Sequence, residues 1–291
     1  MEYFRSLWNN LHRTLPPTGL FHYTDAAGLH GIIRSGEFWA THVYYLNDSQ
    51  EFKYAARLIN EQFSDLIDRG EGDTALFLDR LRATIQSNFT IWSSIAGIYA
   101  VCFCTNGNLL SQWRAYSANG SGFSIGFDPT RLMERLRLDS ELKSTAKLLN
   151  VIYERKEQIR LIQFAIEQLL AASTTHTQER VLHHAPLLFS EMALCFKHEA
   201  FIEEQEWRLV VVPSPLDQRI DVRVDRGGLL PYTKIPFCDS SDSPPYVHIT
   251  HGPTIDSQNT QRAIKMLLGK ANPKYWENVE VTGSDAPFRP R

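Results

Sequence analysis

The feature that most constrains the fold is a long segment of helical periodicity enclosed by strand-like runs. Leucine and isoleucine recur at helical spacing through most of residues 130–198. The flanking regions instead contain short alternating runs, of which the clearest are 20–24, 98–105 and 207–212. We therefore expect an α+β fold in which residues 1–291 form one domain, with a central helical insertion at about 130–198.

The composition excludes several classes of protein. The chain of 291 residues is 43% hydrophobic and 22% charged, as folded domains are. Its 30 basic and 33 acidic residues give a formal net charge of −3, so no overall positive field draws it to nucleic acid, although a local basic patch would be enough. The apolar runs are far shorter than the roughly 20 residues of a membrane helix, so we expect no membrane partner.

The cysteines and the N-terminal residues indicate a compartment. Four cysteines are too few for a disulfide scaffold and fit a reducing environment. Residues 1–11 contain no sustained apolar run after a basic start, unlike a secretory signal. Both features predict a cytoplasmic protein.

Standard catalytic and metal-binding motifs are absent from the sequence. It contains no phosphate-binding loop, dinucleotide glycine motif, zinc-protease motif or serine-hydrolase motif. The histidines at 183, 184, 248 and 251 have no acids or thiols at ligand spacing, so we expect structural roles for them and no metal site.

Two strand-like runs carry polar side chains. In the first run, His22 and Thr24 share one face and Tyr23 lies on the other. At the start of the late run, Glu206 and Arg208 share a face, and charges there are costly to bury. These residues fit a functional site, but a structural histidine and an exposed strand end explain them as well.

Two further segments combine aromatic and charged residues. Segment 45–51 (YLNDSQE) is typical of a ligand loop or of a helix N-terminus with Asp48 as its cap, and the second explanation leaves Tyr45 unexplained. Segment 110–116 (LSQWRAY) places Arg114 among aromatic residues, where it would bind phosphate or pack on a helix surface.

A series of motifs runs in order through most of residues 20–288. They read LFHYTDAAGLHGIIRSGEFWATHVYYLNDSQEF, CFCTNGNLLSQWRAYSANGSGFSIGFD, FKHEAFIEEQEWRLV, ITHGPTIDSQNT and VTGSDAPFR. In this order they resemble an uncharacterised prokaryotic family, the domain of unknown function 2971. That family has no settled activity, so this resemblance implies none.

The N-terminal motif is also similar to the opening of the ADP-ribosyltransferase superfamily, with a strand bearing His-Tyr-Thr, a short helix, and a glycine before the next strand. The similarity implies a split mixed β-sheet core that binds NAD⁺ as co-substrate. It also implies a catalytic glutamate at the start of a late strand, in a Glu-x-Glu arrangement that Glu204 and Glu206 match. The chain departs from the superfamily because no Ser-Thr-Ser motif marks its second strand.

The similarity to the superfamily implies two groups of site residues. The catalytic group would contain Glu206, His22 and Tyr45. The cofactor-binding group would contain His22, Tyr23, Thr24, Arg114 and Glu204.

Each implied role has a chemical reason. The carboxylate of Glu206 would stabilise the positive charge that builds on the ribose as nicotinamide leaves. His22 would hydrogen-bond the adenosine or ribose hydroxyls, and Tyr45 would stack on the nicotinamide. Arg114 would bind the pyrophosphate.

The leading prediction is therefore an NAD⁺-consuming transferase that passes ADP-ribose to a protein or nucleic-acid acceptor, as a toxin or antiphage effector would. It requires strands 20–24 and 207–212 to lie in one sheet, with His22 and Glu206 bordering one cavity. The alternative is a non-catalytic module on the same fold that binds a nucleotide or nucleic acid.

A metal-dependent nuclease is a third hypothesis. It would use Asp48, Glu51 and Glu206. It is less favoured because these acids form no two-metal pattern.

Overall fold

The computed structural model describes most of the chain. The described ranges are 16–46, 49–92, 97–116, 121–214, 216–225, 228–239, 241–253 and 256–287. Backbone contacts divide the chain into two compact units. We call His42–Ile98 with Asn150–Ile202 the helical unit, and Leu15–Thr41 with Tyr99–Leu149 and Glu203–Arg291 the sheet unit. That the two units make up one domain stays a prediction.

The helices and strands have the following bounds. The helices are α1 Ala26–Ser35, α2 Ser49–Arg69, α3 Gly72–Trp92, α4 Leu110–Tyr116, α5 Pro129–Leu138, α6 Arg155–Thr175, α7 Gln178–Cys195 and α8 Ser257–Ala271. The strands are β1 Leu20–Thr24, β2 Glu37–His42, β3 Tyr99–Cys104, β4 Phe123–Phe127, β5 Lys147–Asn150, β6 Glu206–Val211, β7 Ile220–Asp225, β8 Gly228–Pro236, β9 Tyr246–His251 and β10 Glu280–Gly283. Within the described ranges, no helix is both long and apolar enough to cross a membrane.

The helical unit consists mainly of α2, α3, α6 and α7. Their apolar stripes form its interior, where for example the rings of Phe63 on α2 and Phe189 on α7 lie 5.4 Å apart. Residues 130–198 are mostly helical, as expected, but α5 and β5 belong to the sheet unit rather than to the insertion. The reason is that Leu132 and Leu136 of α5 are buried in the core beside the sheet.

The sheet unit contains a mixed β-sheet, which confirms the predicted α+β class. Its strand order is β10-β9-β4-β1-β3-β2-β8-β7, with β6 paired to β3 and to β5. Most neighbouring strands are antiparallel, whereas β9 and β10 are parallel. The predicted strands 20–24 and 207–212 do lie in this one sheet, as β1 and β6 on either side of β3.

The two faces of the sheet have different surroundings. One face, which we call the core face, carries Leu20, Phe103, Phe127 and Leu209 and is covered by apolar residues of α1, α5 and α8. The other, which we call the second face, carries a smaller buried cluster of Tyr23, Cys104 and Trp113. The apolar core therefore lies mainly on one side of the sheet.

Helix α1 explains part of the N-terminal motif. The Asp25 side chain caps the helix by accepting a 2.8 Å hydrogen bond from the Gly28 N–H. Gly36 ends the helix in the left-handed conformation, at φ 65°. A Cβ atom at Gly36 would lie 2.0 Å from the carbonyl oxygen of Cys238. The Asp and Gly of this motif are therefore accounted for by helix capping and close packing.

Candidate functional site

Glu206 and Arg208 form a buried ion pair at the start of β6. The Arg208 Nε donates to Glu206 Oε1 over 2.7 Å, and a second guanidinium nitrogen donates to Oε2 over 3.1 Å. The side chains are only 5% and 4% exposed. This two-point geometry satisfies both oxygens of the carboxylate. The charges that open this strand are therefore buried and paired rather than placed at an exposed end.

The residue before Glu206 has a strained backbone. Gln205 has φ 43°, and it is the only described residue other than glycine with a positive φ. Its side-chain oxygen accepts a hydrogen bond from the hydroxyl of Thr105. A non-glycine residue in this region costs of order 1–3 kcal/mol, and such strain is concentrated at functional sites. The strained backbone of Gln205 is therefore one feature of the Glu204-Gln205-Glu206 segment that is typical of functional sites.

His22 lies on the opposite face of the sheet from Glu206. Glu206 is opposite Cys104 on β3, and Cys104 is opposite Phe21 on β1. Directly opposed residues project from the same face, so Glu206 shares the face of Phe21, and His22 projects from the other. The prediction that His22 and Glu206 border one cavity is therefore wrong.

His22 is half-buried on the core face. Its ring makes edge contacts with Phe38 and Phe103, at centroid distances of 6.1 Å and 5.8 Å. Its Nδ1 lies 2.9 Å from the carbonyl oxygen of Cys102, and because a carbonyl only accepts, Nδ1 carries the proton. Burial lowers the pKa of His22, with the charge of Arg223 acting in the same direction and the hydrogen bond opposing it. His22 is therefore held neutral.

Tyr23 has a structural explanation. Its hydroxyl donates to the Asn106 carbonyl over 2.9 Å and accepts from the Leu109 N–H over 2.8 Å. Its ring meets Trp113 edge-on at 4.9 Å. Burial raises the pKa of Tyr23, so the phenol stays protonated. These bonds position the loop between β3 and α4 and occupy the hydroxyl.

Among the other predicted site residues, Thr24 shares the core face with His22, and Tyr23 shares the second face with Glu206. Arg114 is exposed on α4, and Thr24 is half-buried at the end of β1, with its hydroxyl filling the space beside Gly28. Glu204 is half-buried in the turn before β6. Tyr45 lies in the helical unit, 48% exposed, with its ring edge against His42. The roles predicted for Arg114, Thr24, Glu204 and Tyr45 stay predictions.

The acids proposed for a nuclease belong to different units of the chain. Glu51 lies in the helical unit, where its Oε1 is 2.7 Å from the Lys197 Nζ, whereas Glu206 lies in the sheet unit. Asp48 is outside the described residues. The described part of the chain contains no group of three or more His, Cys, Asp or Glu residues placed to hold a metal.

A surface of aromatic and basic residues lies on the second face, at the side of the sheet formed by β2, β8 and β7. The Trp39 indole stacks on the Tyr232 ring at 4.7 Å and 27° and is 46% exposed. The Arg223 guanidinium lies over Tyr232 at 5.9 Å and donates to the Thr41 hydroxyl over 2.9 Å. Lys234 is directly opposite Trp39 in the sheet. We call these five residues the Trp39 surface.

Part of the signal for the Trp39 surface was present in the sequence. In the strand EFWATH, Phe38 and Ala40 point to the core face, so Trp39 is an aromatic residue at a solvent-facing position. The contribution of Arg223 and Tyr232 was hidden, because it depends on a hairpin about 190 residues later that pairs with β2.

A cavity of about 390 Å³ lies elsewhere in the sheet unit. It is lined by the end of β6 and the loop that follows it, by the segment 141–145, by residues around Arg219 and by Thr233 of β8. Arg219 is already bound by Asp217 at 2.7 Å and by Glu141 at 2.5 Å. The cavity therefore offers no uncompensated cation to an anionic ligand.

Comparison with known proteins gives one match. DUF2971, a family of proteins of unknown function, matches residues 112–209. This DUF2971 segment is about a third of the chain, runs from α4 to β6 and includes Arg114, Glu204 and Glu206. No curated protein and no solved structure matches. The match supports the resemblance to that family, and the similarity to ADP-ribosyltransferases has no support from it.

Proposed function

We propose that this chain binds a nucleotide through the Trp39 surface. The observation that carries the proposal is the stack of Trp39 on Tyr232. One face of the indole is occupied by the tyrosine ring, and the 46% exposure of Trp39 leaves the other face available to a planar ligand. Stacking of a nucleobase on an exposed aromatic ring contributes about 1–3 kcal/mol of binding free energy, largely whichever base it is.

The basic residues beside Trp39 suit the phosphate of such a ligand. Lys234 is the cross-strand neighbour of Trp39, and Arg223 projects from the same face of β7. Arginine and lysine bind phosphate oxygens through charge-assisted hydrogen bonds. Asp221 also lies on this face, 3.3 Å from the Tyr232 hydroxyl, and would favour a ligand with hydroxyl donors such as a ribose. A base, a ribose and a phosphate therefore each have a matching group.

Binding would be measured with three ligands that distinguish a dinucleotide, a mononucleotide and a nucleic-acid strand. They are NAD⁺, AMP and a labelled single-stranded oligonucleotide, with an abasic oligonucleotide to measure the contribution of phosphate alone. We expect at least one base-containing ligand to bind, and the abasic strand to bind more weakly than its parent.

Variants of the Trp39 surface test the assignment. We expect Trp39→Ala to weaken binding about tenfold or more, and Trp39→Phe to retain most of it, because stacking needs an aromatic ring. Leu138→Ala is the matched control, because Leu138 is an exposed apolar residue elsewhere in the sheet unit. Equal affinity of wild type and Trp39→Ala for every ligand, or no binding at all, would remove the proposal.

Transfer of ADP-ribose from NAD⁺ to a protein or nucleic-acid acceptor is a second candidate function. A protein with this activity would act as a toxin or antiphage effector. The strained Gln205 directly before Glu206 favours it, since it marks the Glu-x-Glu segment. Because His22 lies on the other face, Glu206 would act without it. The Glu206 carboxylate would also have to leave Arg208 to reach a ribose hydroxyl.

The transferase candidate is tested by nicotinamide release with DNA, RNA and cell lysate as acceptors. We expect Glu206→Gln to lower turnover on the order of 100-fold, equivalent to about 2.7 kcal/mol of barrier, and Glu204→Gln to lower it less. The melting temperature of each variant must be measured together with its turnover rate, because Glu206 is a buried ion-pair partner and its substitution can destabilise the fold. Equal turnover of wild type and Glu206→Gln would move catalysis away from this residue.

A further inference from the structure

Ser257 and His251 form a hydrogen-bonded pair at the other end of the sheet. His251 is the last residue of β9 and Ser257 the first residue of α8. The Ser257 Oγ lies 3.0 Å from the His251 Nε2. Neither residue belongs to the Trp39 surface or to the Glu206 segment.

The protonation of His251 follows from its second hydrogen bond. The Nδ1 atom lies 2.9 Å from the carbonyl oxygen of Gly252. A carbonyl oxygen has no proton to give, so Nδ1–H is the donor, and the tautomer that carries its proton on Nδ1 presents the lone pair of Nε2 to Ser257. The serine hydroxyl therefore donates to the imidazole, which is the orientation a general base needs to accept its proton.

Packing fixes the imidazole in this orientation. His251 is only 3% exposed. A Cβ atom at Gly283 would lie 2.8 Å and 2.9 Å from two atoms of the ring, so the backbone of β10 contacts the imidazole directly. Ser257 is half-buried and keeps part of its surface in solvent. The imidazole is therefore enclosed, whereas Ser257 is partly exposed.

A third polar group lies beside the pair. The Gln261 Nε2 is 3.4 Å from the Ser257 Oγ and 3.4 Å from the His251 Nε2. It is one helical turn after Ser257, so it projects from the same side of α8. A side-chain amide in this position can donate to an oxygen that becomes negatively charged next to the serine. Nucleophile, base, orienting carbonyl and amide donor thus lie within one cluster.

We propose that Ser257 is a nucleophile for acyl transfer, with His251 as its general base. The substrate class is an uncharged carboxylic ester, because the exposed Asp256 carboxylate precedes Ser257 and disfavours an anionic substrate.

In the first step, Oγ bonds to the acyl carbon while its proton moves to Nε2. The tetrahedral intermediate then breaks the bond to the alcohol oxygen, which takes the proton from Nε2. Water attacks the acyl-serine with its proton passing to Nε2, and the acid leaves as Oγ recovers that proton.

The test is covalent labelling of the full chain by a fluorophosphonate. Such a probe loses fluoride and leaves a phosphonyl group on an activated serine oxygen, which peptide mass spectrometry locates. We expect labelling at Ser257, its loss in Ser257→Ala, and unchanged labelling in Ser35→Ala, whose hydroxyl bonds only backbone groups. Labelling at other serines only, or none beyond that of the denatured chain, would overturn the proposal.

Two further variants separate activation from a structural role. Gly283→Ala would place a methyl group 2.9 Å from the His251 Nε2 and 3.3 Å from the Ser257 Oγ, and we expect it to slow labelling at least tenfold while the chain stays folded. Ser257→Cys should react with iodoacetamide at least tenfold faster than Cys238, because His251 can take the thiol proton, whereas burial raises the pKa of Cys238 to about 11. Two results together would overturn the proposal: fluorophosphonate labels Gly283→Ala at the wild-type rate, and the thiol of Ser257→Cys reacts no faster than that of Cys238. Ser257 would then only donate a structural hydrogen bond to the imidazole.

Discussion

The Lys197 Nζ lies 2.7 Å from the Glu51 Oε1 in the interior of the helical unit, with side chains 5% and 10% exposed. This ion pair joins the first turn of α2 to the segment that follows α7. Lys197 also lies over the ring of Phe201, 4.9 Å from its centroid. The pair links two motifs, YLNDSQE and FKHE, that are about 150 residues apart in the sequence.

We expect Lys197→Met to lower the free energy of unfolding by about 3–5 kcal/mol, because it leaves the buried Glu51 carboxylate without its ammonium partner. Urea denaturation followed by circular dichroism would measure this. The double variant Lys197→Met with Glu51→Leu should recover most of the loss, since both charges of this pair are then removed. A double variant as unstable as the single one would show that packing around the methylene groups matters more than the charges.

The buried ion pair of Glu206 and Arg208 on β6 should likewise lose stability when one partner is removed. Arg208→Met removes the two-point partner of Glu206, and we expect a loss of about 3–5 kcal/mol. Arg208→Lys would keep the charge but lose the planar fork, so an intermediate loss is expected. Thermal melting of both variants checks the order. If Arg208→Lys is as stable as wild type, the two-point geometry contributes nothing.

Gly36 should be far less tolerant than a nearby glycine on the same helix. Gly36→Ala places a Cβ 2.0 Å from the Cys238 carbonyl at φ 65°, so we expect a loss of about 2–4 kcal/mol. Gly31→Ala is the matched control, because nothing lies within 4 Å of its added Cβ. It should stabilise α1 by about 0.5–1 kcal/mol. Denaturant midpoints measure both, and the two changes should have opposite signs.

His22 should make the stability of the chain fall in mild acid. Its pKa in the folded state is lowered by burial from the usual 6.5. Below pH 6.5 the unfolded chain therefore binds a proton that the folded chain does not, so the free energy of unfolding falls as the pH falls toward the lowered pKa. Denaturation at pH 7.5, 6.5 and 5.5 would measure this loss.

His22→Asn is the control for that pH dependence. The asparagine amide can donate to the Cys102 carbonyl in place of Nδ1–H, but it does not titrate. We expect the loss of stability between pH 7.5 and 5.5 to be smaller in the variant than in wild type. An identical loss in both would assign the acid sensitivity to other groups.

Strand and helix patterns were predictable because they depend on neighbouring residues. The alternation that places His22 and Thr24 on one face of β1, and Glu206 and Arg208 on one face of β6, is present in the structure. Whether those two faces coincide depends on the register of β3 between them, and a shift of one residue would reverse it. No local pattern contains that register, and the shared cavity was predicted wrongly for this reason.

The Ser257 and His251 pair was hidden for a related reason. The sequence offered ITHGPTIDSQNT, in which the serine follows the histidine by six residues without any known spacing rule. The pair forms because β9 ends where α8 begins, and because the backbone at Gly283 leaves room for the imidazole. A histidine read alone is rightly assigned a structural role until its neighbours in space are known.

The alternation of the two units along the chain affects the order in which a ribosome can complete them. The helical unit needs both His42–Ile98 and Asn150–Ile202, so α2 and α3 are synthesised well before α6 and α7. In the sheet unit, β3 leaves the ribosome roughly 100 residues before its partner β6, a delay of about 5–20 s at typical translation rates. During that interval the apolar sides of α2 and β3 lack their later partners, and the core face of the sheet still lacks α8 after residue 211, so we expect the nascent chain to expose apolar surface until α8 has also emerged.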